Sequence, residues 1–273
     1  MMKACNQTTL AALYCALSLL PAAATERYFT YTYEPETMPR GALEYEQWVT
    51  LAAGRDAAVG QENYRRWVFR EELEYGVTDN YTVSFYLNES LENCYNNFAH
   101  QNVSDLQFVG VSLENRYMVL NPADHAVGLA LYLEPLIGGS QAEIEERIIL
   151  GQRRGDWKWA LNLTQATEWK DDFRTLEGEV EVSLGITRHF GPRWSVGLEA
   201  RDNNELPDYQ IWENTALYVG PVATYAEERW WATLSVMPQV YGANFQDNPD
   251  GNSHLDLEGH ERWNVRLIFG FSF

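Results

Sequence analysis

Large apolar residues alternate with small or polar residues along most of this chain, with a period of two positions. The pattern is clearest in the last eleven residues, 263–273. The apolar positions there are Trp263, Val265, Leu267, Phe269, Phe271 and Phe273. Successive side chains of a β-strand point to opposite faces. The segment therefore predicts a strand with one continuous apolar face and one polar face.

Eleven similar stretches precede this strand, so the sequence predicts about twelve strands. Strands of about 9–11 residues can cross the hydrocarbon core of a bilayer when tilted. Short turns follow the even-numbered strands and mostly longer loops follow the odd-numbered ones, as expected of a barrel with both termini on one side. Lipid cannot hydrogen-bond an open strand edge, so the first strand should pair with the last. We predict an all-β fold, a closed antiparallel up-and-down transmembrane β-barrel, over residues 41–273.

Residues 1–40 lack the alternation that predicts the strands of the barrel. Residues 1–24 predict a secretory signal peptide, because a short apolar stretch, Leu10–Leu20, leads to the small residues Ala22–Ala24. Residues 25–40 predict a periplasmic lead-in. Tyr28–Tyr33 resembles a short strand, but two prolines follow it.

Composition narrows the class of protein. The formal net charge of −19 argues against a nucleic-acid partner, which requires clustered Lys and Arg. The mean hydropathy of −0.39 excludes a bundle of membrane helices, but a β-barrel has such an average because only every second residue faces lipid. Aromatic residues make up 14% of the chain, which suits two interfacial belts. Cys94 would be the one cysteine left after signal cleavage, so we predict no internal disulfide.

The inward faces of the predicted strands carry most of the charge. We predict that the lumen is lined by Glu44, Glu46, Arg70, Glu72, Glu74, Glu114, Arg116, Glu134, Glu145, Arg147, Lys158, Glu177, Glu179, Glu181, Glu199, Arg201 and Arg266. In one interpretation these side chains neutralise each other and hold a narrow barrel rigid. In the other they form a polar path whose excess of carboxylates favours cations or polyhydroxy solutes. The carboxylates of Glu177, Glu179 and Glu181 lie on one face of one predicted strand and repel each other unless a cation or arginine side chains compensate their charge.

Other candidate chemistry is weak. His254, Asp256, Glu258 and His260 would share one face of an extended loop and are metal-ligand types. Alternation in a polar strand extension explains them equally well, so we predict no metal site and no cofactor. Neither Gly-x-Ser-x-Gly nor His-Glu-x-x-His occurs, and the histidines and serines do not follow the arrangements of outer-membrane phospholipases or proteases. We therefore predict that the protein is not an enzyme.

Three short segments carry a resemblance to known proteins: Pro39–Trp48, Glu74–Asp79 and Gly270–Phe273. They resemble uncharacterised Gram-negative outer-membrane β-barrel families related to transporter-type and porin-like barrels. The terminal strand, ending on Phe273, is similar to the closing strand of such barrels. The resemblance implies a cell outer-membrane location with lipid as partner, and a terminal Phe273 that acts as the insertion signal for the barrel-assembly machinery. It implies no substrate and no catalytic residue.

Twelve strands enclose more space than the eight that side chains can fill, and less than a sixteen-stranded porin. We therefore predict a narrow channel or transporter for small polar or cationic solutes. The alternative is a structural or surface-binding barrel with a plugged, salt-bridged lumen. An outer-membrane enzyme is the least favoured class.

Overall fold

The computed structural model describes residues 26–55, 63–96, 100–207, 209, 211–246 and 254–273. Within these residues twelve antiparallel strands form one closed barrel, and each pairs with its neighbours in chain order. No helix in the described part is long and apolar enough to cross a bilayer. The strands are β1 (Leu43–Ala53), β2 (Arg65–Thr78), β3 (Tyr81–Asn96), β4 (Gln101–Leu120), β5 (Gly128–Ile137), β6 (Ala142–Arg154), β7 (Trp157–Lys170), β8 (Thr175–Phe190), β9 (Trp194–Pro207), β10 (Asn214–Ala226), β11 (Trp230–Asn244) and β12 (Trp263–Ser272).

The barrel closes where the first strand meets the last, as the sequence predicts. β1 and β12 are in register from Glu44 opposite Ser272 to Ala53 opposite Trp263. The backbone N–H of Phe273 donates to the carbonyl of Leu43 at 3.1 Å, which extends the pairing to the last residue. Every strand therefore has a partner on both sides, and the predicted closed antiparallel all-β fold is confirmed.

The period-two pattern separates two surfaces. Outward positions carry exposed apolar side chains, such as Leu184 and Leu198, which are 48% and 55% exposed. Inward positions carry buried polar and charged side chains such as Ser183 and Glu44. A contiguous apolar surface of this extent is unstable in water and suits contact with hydrocarbon.

Several strands are longer than the predicted strands. The stretch Glu89–Asp105 follows the third predicted strand, where the alternation predicts one of the longer loops, but it is mostly strand, because β3 continues to Asn96 and β4 begins at Gln101. Two features hide this from the sequence. Both faces of the hairpin end are polar, and a bulge between Asn88 and Glu89 shifts the register and breaks the alternation. The predicted contrast between long and short connections is also weaker, because β5 and β7 continue into stretches that are predicted as loop: 138–141 and 171–174 are short, although both follow odd-numbered strands.

Residues 26–40, hereafter the plug segment, lie inside the barrel. This corrects the expected periplasmic lead-in, because Phe29 and Tyr33 are 0% and 1% exposed and Met38 is fully buried. The segment enters at the short-turn end of the barrel, where the Arg40 N–H donates to Asp79 Oδ1 at 2.9 Å. The expected signal peptide lies outside the described residues and stays a prediction.

The wall is shaped to receive this segment. Gly185 of β8 faces inward, and a Cβ placed on it would lie 2.3 Å from Cδ1 of Phe29, inside van der Waals contact. Glycine at this position leaves room for the Phe29 ring. The plug segment therefore packs against the wall as a fitted part of the core.

Substitution Gly185→Leu should displace Phe29 and loosen the plug segment while the barrel still closes. Limited proteolysis of the detergent-folded protein should then cut within residues 26–40, and the barrel should keep its heat-modifiable electrophoretic migration. Gly139→Leu is the control, because a Cβ on Gly139 meets no atom within 4 Å. Equal protection of the segment in both variants would contradict this packing.

Candidate functional site in the barrel lumen

The structure places every charged residue assigned to the lumen on the inner side of the wall. Most are well buried: Glu44, Glu46, Glu72, Glu74, Glu114, Arg116, Glu134, Lys158, Glu181 and Glu199. Arg70, Arg147 and Arg201 are partly buried and paired with carboxylates. Arg266 donates to Thr50 Oγ1, Glu145 and Glu177 join ion pairs, and Glu179 accepts a hydrogen bond from Asn203. The lumen is thus densely occupied by charged side chains.

Ion pairs connect different strands of the wall, including strands that are not neighbours in the sheet, and also connect the wall to the plug segment. Arg70 lies 2.5 Å from Glu134 across the lumen wall, and Lys158 lies 3.0 Å from Glu36 of the plug segment. Buried charges of this kind persist only when they are paired, because removing one partner leaves the other without solvation. The pairs therefore fix the position of the plug segment as well as the shape of the wall.

Glu199 on β9 binds residues 30–32 of the plug segment through three consecutive backbone amides. The N–H groups of Thr30, Tyr31 and Thr32 donate to its carboxylate at 3.1, 2.7 and 2.7 Å. Asn162 on β7 binds Tyr33 in both directions, accepting from its N–H at 2.6 Å and donating to its carbonyl at 2.9 Å. The irregular backbone of the segment obtains from the wall the hydrogen bonds that a strand obtains from its neighbour.

Arginines of the wall stack on aromatic rings of the plug segment. The Arg266 guanidinium lies 3.7 Å from the centre of the Tyr31 ring, and that of Arg201 lies 4.4 Å from it. Arg27, in the plug segment itself, lies 3.8 Å over Tyr33. Cation–π contacts strengthen when water is excluded. Together the rings and guanidiniums form one layer inside the barrel.

The sequence does not predict this layer, because Arg27, Tyr31 and Tyr33 lie in the segment expected to be a periplasmic lead-in outside the barrel. One feature of the sequence does indicate that this segment is buried. Residues 28–33 read Tyr-Phe-Thr-Tyr-Thr-Tyr, with aromatic and threonine side chains and no charge, a composition that favours burial over a solvated lead-in.

Beyond the plug segment, at the opposite end of the barrel, a cavity of about 230 Å³ opens between β7, β8 and β9. We call this cavity the acidic mouth. Its lining contains five glutamates and one lysine: Glu168, Glu177, Glu179, Glu205, Glu213 and Lys170. The excess of carboxylates gives the cavity a negative potential.

The negative row on β8, Glu177, Glu179 and Glu181, is only partly compensated by basic side chains. Glu177 pairs with Lys170 at 2.6 Å and Glu181 pairs with Arg201 at 2.5 Å. Glu179, between them, accepts a hydrogen bond from the Asn203 amide and forms no ion pair among the described residues. The carboxyl group of Glu179 therefore lies in the acidic mouth without a basic partner among the described residues.

The weak metal candidates of the last loop do not converge. His254 and Glu258 are exposed, whereas Asp256 and His260 are buried. Asp256 Oδ1 accepts the N–H groups of Glu258 and Gly259 at 3.2 Å, and His260 Nε2 lies 2.7 Å from Asn214 Oδ1. In the described part of the loop these side chains hold the loop on the barrel rim.

The closed barrel, its apolar outer surface and its charged interior define the class of transmembrane β-barrels. The sequence matches the family DUF6662, a family of unknown function, over residues 21–143 and 151–273, and the chain belongs to that family. Among curated protein sequences none matches this chain.

Solved structures of outer-membrane barrels share the fold at low sequence identity. An outer-membrane channel from Pseudomonas putida F1 superposes with a TM-score of 0.62 at 12% identity, covering 90% of this chain and 100% of that one. The KdgM porin in complex with oligogalacturonate gives 0.50 at 10% identity, covering 85% and 99%. The β-domain of the Bordetella autotransporter BrkA gives 0.51 at 10% identity, covering 86% and 100%. These likenesses show the fold and carry no assignment of substrate.

Substitution Glu199→Gln should weaken the attachment of the plug segment. Hydrogen bonds to a charged group contribute about 1.5–3 kcal/mol, and Gln brings an NH₂ donor towards amides that need an acceptor. Hydrogen exchange of the amides of residues 30–32, measured by mass spectrometry, should accelerate by about 10- to 100-fold. The charge-matched control Glu146→Gln, on the outer face of β6, should leave these amides protected. Unchanged exchange in Glu199→Gln would contradict the role of Glu199.

The loop around His260 should loosen in acid. Burial lowers the pKa of the imidazole, and the carboxylates of Glu205, Asp256 and Glu261 only partly oppose this shift. Because the folded pKa lies below the unfolded value of about 6.5, the stabilisation is complete above that pH and is lost as the pH falls through the folded pKa. Hydrogen exchange over residues 254–262, corrected for its intrinsic pH dependence, should rise by about tenfold for each pH unit in that window. His260→Gln should remove this step, and a step of equal size in that variant would count against His260.

Proposed function

We propose that this outer-membrane barrel is a narrow channel for small polar or cationic solutes and that the plug segment closes it. The acidic mouth is the observation that supports this function most directly. Five glutamates and one lysine line a cavity of about 230 Å³, which is large enough for a small solute and too small for a polymer coil. Rings of carboxylates favour cations in narrow pores.

The electrostatics of the lumen support cations over anions. Carboxylates outnumber basic side chains in the acidic mouth, and Glu179 forms no ion pair within the described residues. Walls of low dielectric constant concentrate the field of such charges in the cavity. A monovalent cation is thereby concentrated at the mouth, and an anion is repelled.

The similar structures agree with a channel and also limit the choice of solute. The Pseudomonas putida protein with the same fold is an outer-membrane channel, which supports passage of a solute here. The KdgM porin was captured with oligogalacturonate, a polyanion. The acidic mouth does not suit such a ligand, so the proposal excludes anionic sugars as preferred solutes.

The proposed orientation places the plug segment and the short turns on the periplasmic side, with the acidic mouth facing outwards. Secretion through the signal peptide of residues 1–24, and insertion by the barrel-assembly machinery through Phe273, complete the proposal. No catalytic role is proposed for any residue.

A sealed structural barrel is the second candidate, and the plug segment favours it. The hydrogen bonds from Glu199 and Asn162 and the stacking on Tyr31 fill the lumen at the level of the wall arginines. A barrel filled in this way is rigid and offers only its loops for binding. Electrical recording separates the two candidates.

In planar bilayers the folded protein should show brief, small, cation-selective openings, and Glu199→Gln should lengthen them by freeing the plug segment. Glu179→Lys should lower the cation-to-anion permeability ratio by about fivefold. The reason is that the introduced cation, about 5 Å from a monovalent ion in a water-filled mouth, shifts the energies of a cation and an anion by about 0.5 kcal/mol each, in opposite directions, after screening. Reversal potentials in a KCl gradient measure this ratio.

The control for charge reversal is Glu228→Lys, on the exposed turn between β10 and β11 at the opposite end of the barrel. It should shift the reversal potential far less than Glu179→Lys does. If the folded protein and Glu199→Gln both pass no current, the channel proposal fails and the sealed barrel is supported. If the two lysine variants shift the potential equally, the acidic mouth does not set selectivity.

A further inference from the structure

A second cluster of carboxylates lies in the opposite half of the barrel, away from the acidic mouth. Glu44 and Glu46 of β1 and Glu74 of β2 are 0%, 0% and 3% exposed. Glu44 and Glu74 are direct partners across the two strands, and Glu46 follows two residues along β1 on the same inner face. One carboxylate oxygen from each of the three lies within 4.8 Å of the others.

The charges in this compartment do not balance among the side chains. Two further carboxylates, Glu72 and Glu114, are also buried there, at 1% and 0% exposed. Two arginines reach the group: Arg27 lies 3.7 Å from Glu46, and Arg116 contacts Glu74 and Glu114. Even with Glu44 left out of the count, the four carboxyl groups of Glu46, Glu72, Glu74 and Glu114 face two guanidiniums among the described residues. Uncompensated charge is costly in an enclosed space, so protons or a bound cation must complete the balance.

One carboxylate oxygen of Glu46 is buried without a partner, which is a second observation, independent of the charge imbalance, that indicates a bound ion. Glu46 Oε2 accepts the Trp48 indole N–H at 2.8 Å, but Glu46 Oε1 is buried and has no hydrogen-bond partner. Tyrosine, tryptophan and serine donors serve the neighbouring carboxylates, as Trp231 Nε1 does for Glu44 at 3.0 Å. A fully buried anionic oxygen without a partner costs free energy that a cation at this point would recover.

The geometry and the ligand type identify the class of ion. Calcium binds oxygen ligands at about 2.3–2.6 Å, so two of its ligands lie at most about 4.6–5.2 Å apart. The three oxygens fall within this span. Calcium also accepts irregular sets of carboxylates, whereas magnesium demands a near-ideal octahedron and retains several waters. Zinc prefers nitrogen and sulfur ligands, and none of the three residues supplies one.

We propose that Glu44, Glu46 and Glu74 form a buried calcium site at the plugged end of the barrel. The cation supplies two positive charges and a partner for Glu46 Oε1. It shares Glu46 with Arg27 of the plug segment, so the ion and the segment are neighbours in one electrostatic network. The site is enclosed, and loading therefore occurs while the barrel folds. This proposal is independent of whether the barrel conducts.

The test is metal analysis of the full-length protein refolded in detergent with calcium and then washed with a chelator. About one tightly held calcium per chain is expected. Glu46→Gln should weaken binding by more than tenfold, and the control Glu227→Gln, in the exposed turn after β10, should retain the ion. Folding of each variant is checked by heat-modifiable migration, and Glu74→Gln serves if Glu46→Gln fails to fold.

Terbium luminescence locates the ion, because Trp48 and Trp231 donate directly to the carboxylates of Glu46 and Glu44. Terbium supplied during refolding should be sensitised by tryptophan excitation, excluded when calcium is present in excess in the same refolding mixture, and dimmed several-fold in Trp48→Phe. Calcium retained in both Glu46→Gln and Glu74→Gln would overturn the assignment. A protein that refolds without bound calcium would overturn the site itself, and a protonated-carboxyl infrared band lost in Glu46→Gln would then identify protons as the compensating charge.

Discussion

The constraint on which the structure depends is that every backbone N–H and C=O within an apolar solvent must find a protein partner. The twelve strands meet it by closing β1 on β12, with the pairing extended to Phe273 and Leu43. Closure has a second consequence. It turns one face of every strand towards a confined interior, where polar side chains have little access to bulk water and must bind one another instead. The charges of this acidic chain are therefore concentrated in a small volume.

Inside that volume the plug segment acts as a counterpart to the wall. Its backbone carries the donors that Glu199 requires, and its Arg27 reaches Glu46. Without the segment, Glu199 and Asn162 would face only solvent or empty space. The irregular conformation of residues 26–40 is thus stabilised by the wall, and the wall carboxylates are stabilised by the segment. The conformation of the plug segment and the positions of the wall carboxylates therefore depend on each other.

The sequence predicted what depends on local alternation and missed what depends on distant contacts. The faces of the strands follow from period two, so the inner positions of residues such as Glu179 and Arg147 could be read directly. The plug segment could not, because its main acceptor, Glu199, lies 169 positions from Thr30. The cluster of Glu44, Glu46 and Glu74 required the register between β1 and β2, which alternation alone does not fix. The long hairpin of β3 and β4 was hidden by its bulge and by its polarity on both faces.

The two ends of the lumen differ in how their charge is compensated, and this difference determines how a solute would pass. At the acidic mouth, carboxylates face a water-filled cavity, where solvent screens them and a cation can come and go. At the plugged end the carboxylates are enclosed and their partners are fixed. A solute entering from the mouth would meet the arginine and tyrosine layer at Tyr31, whose guanidiniums oppose a cation. Passage therefore requires the plug segment to move, and its movement would expose the carboxylates that it now covers. Opening would withdraw Tyr31 and Arg27 and leave the wall arginines Arg201 and Arg266 beside newly exposed carboxylates such as Glu199, so that the same displacement clears the path and changes the charge that a cation meets.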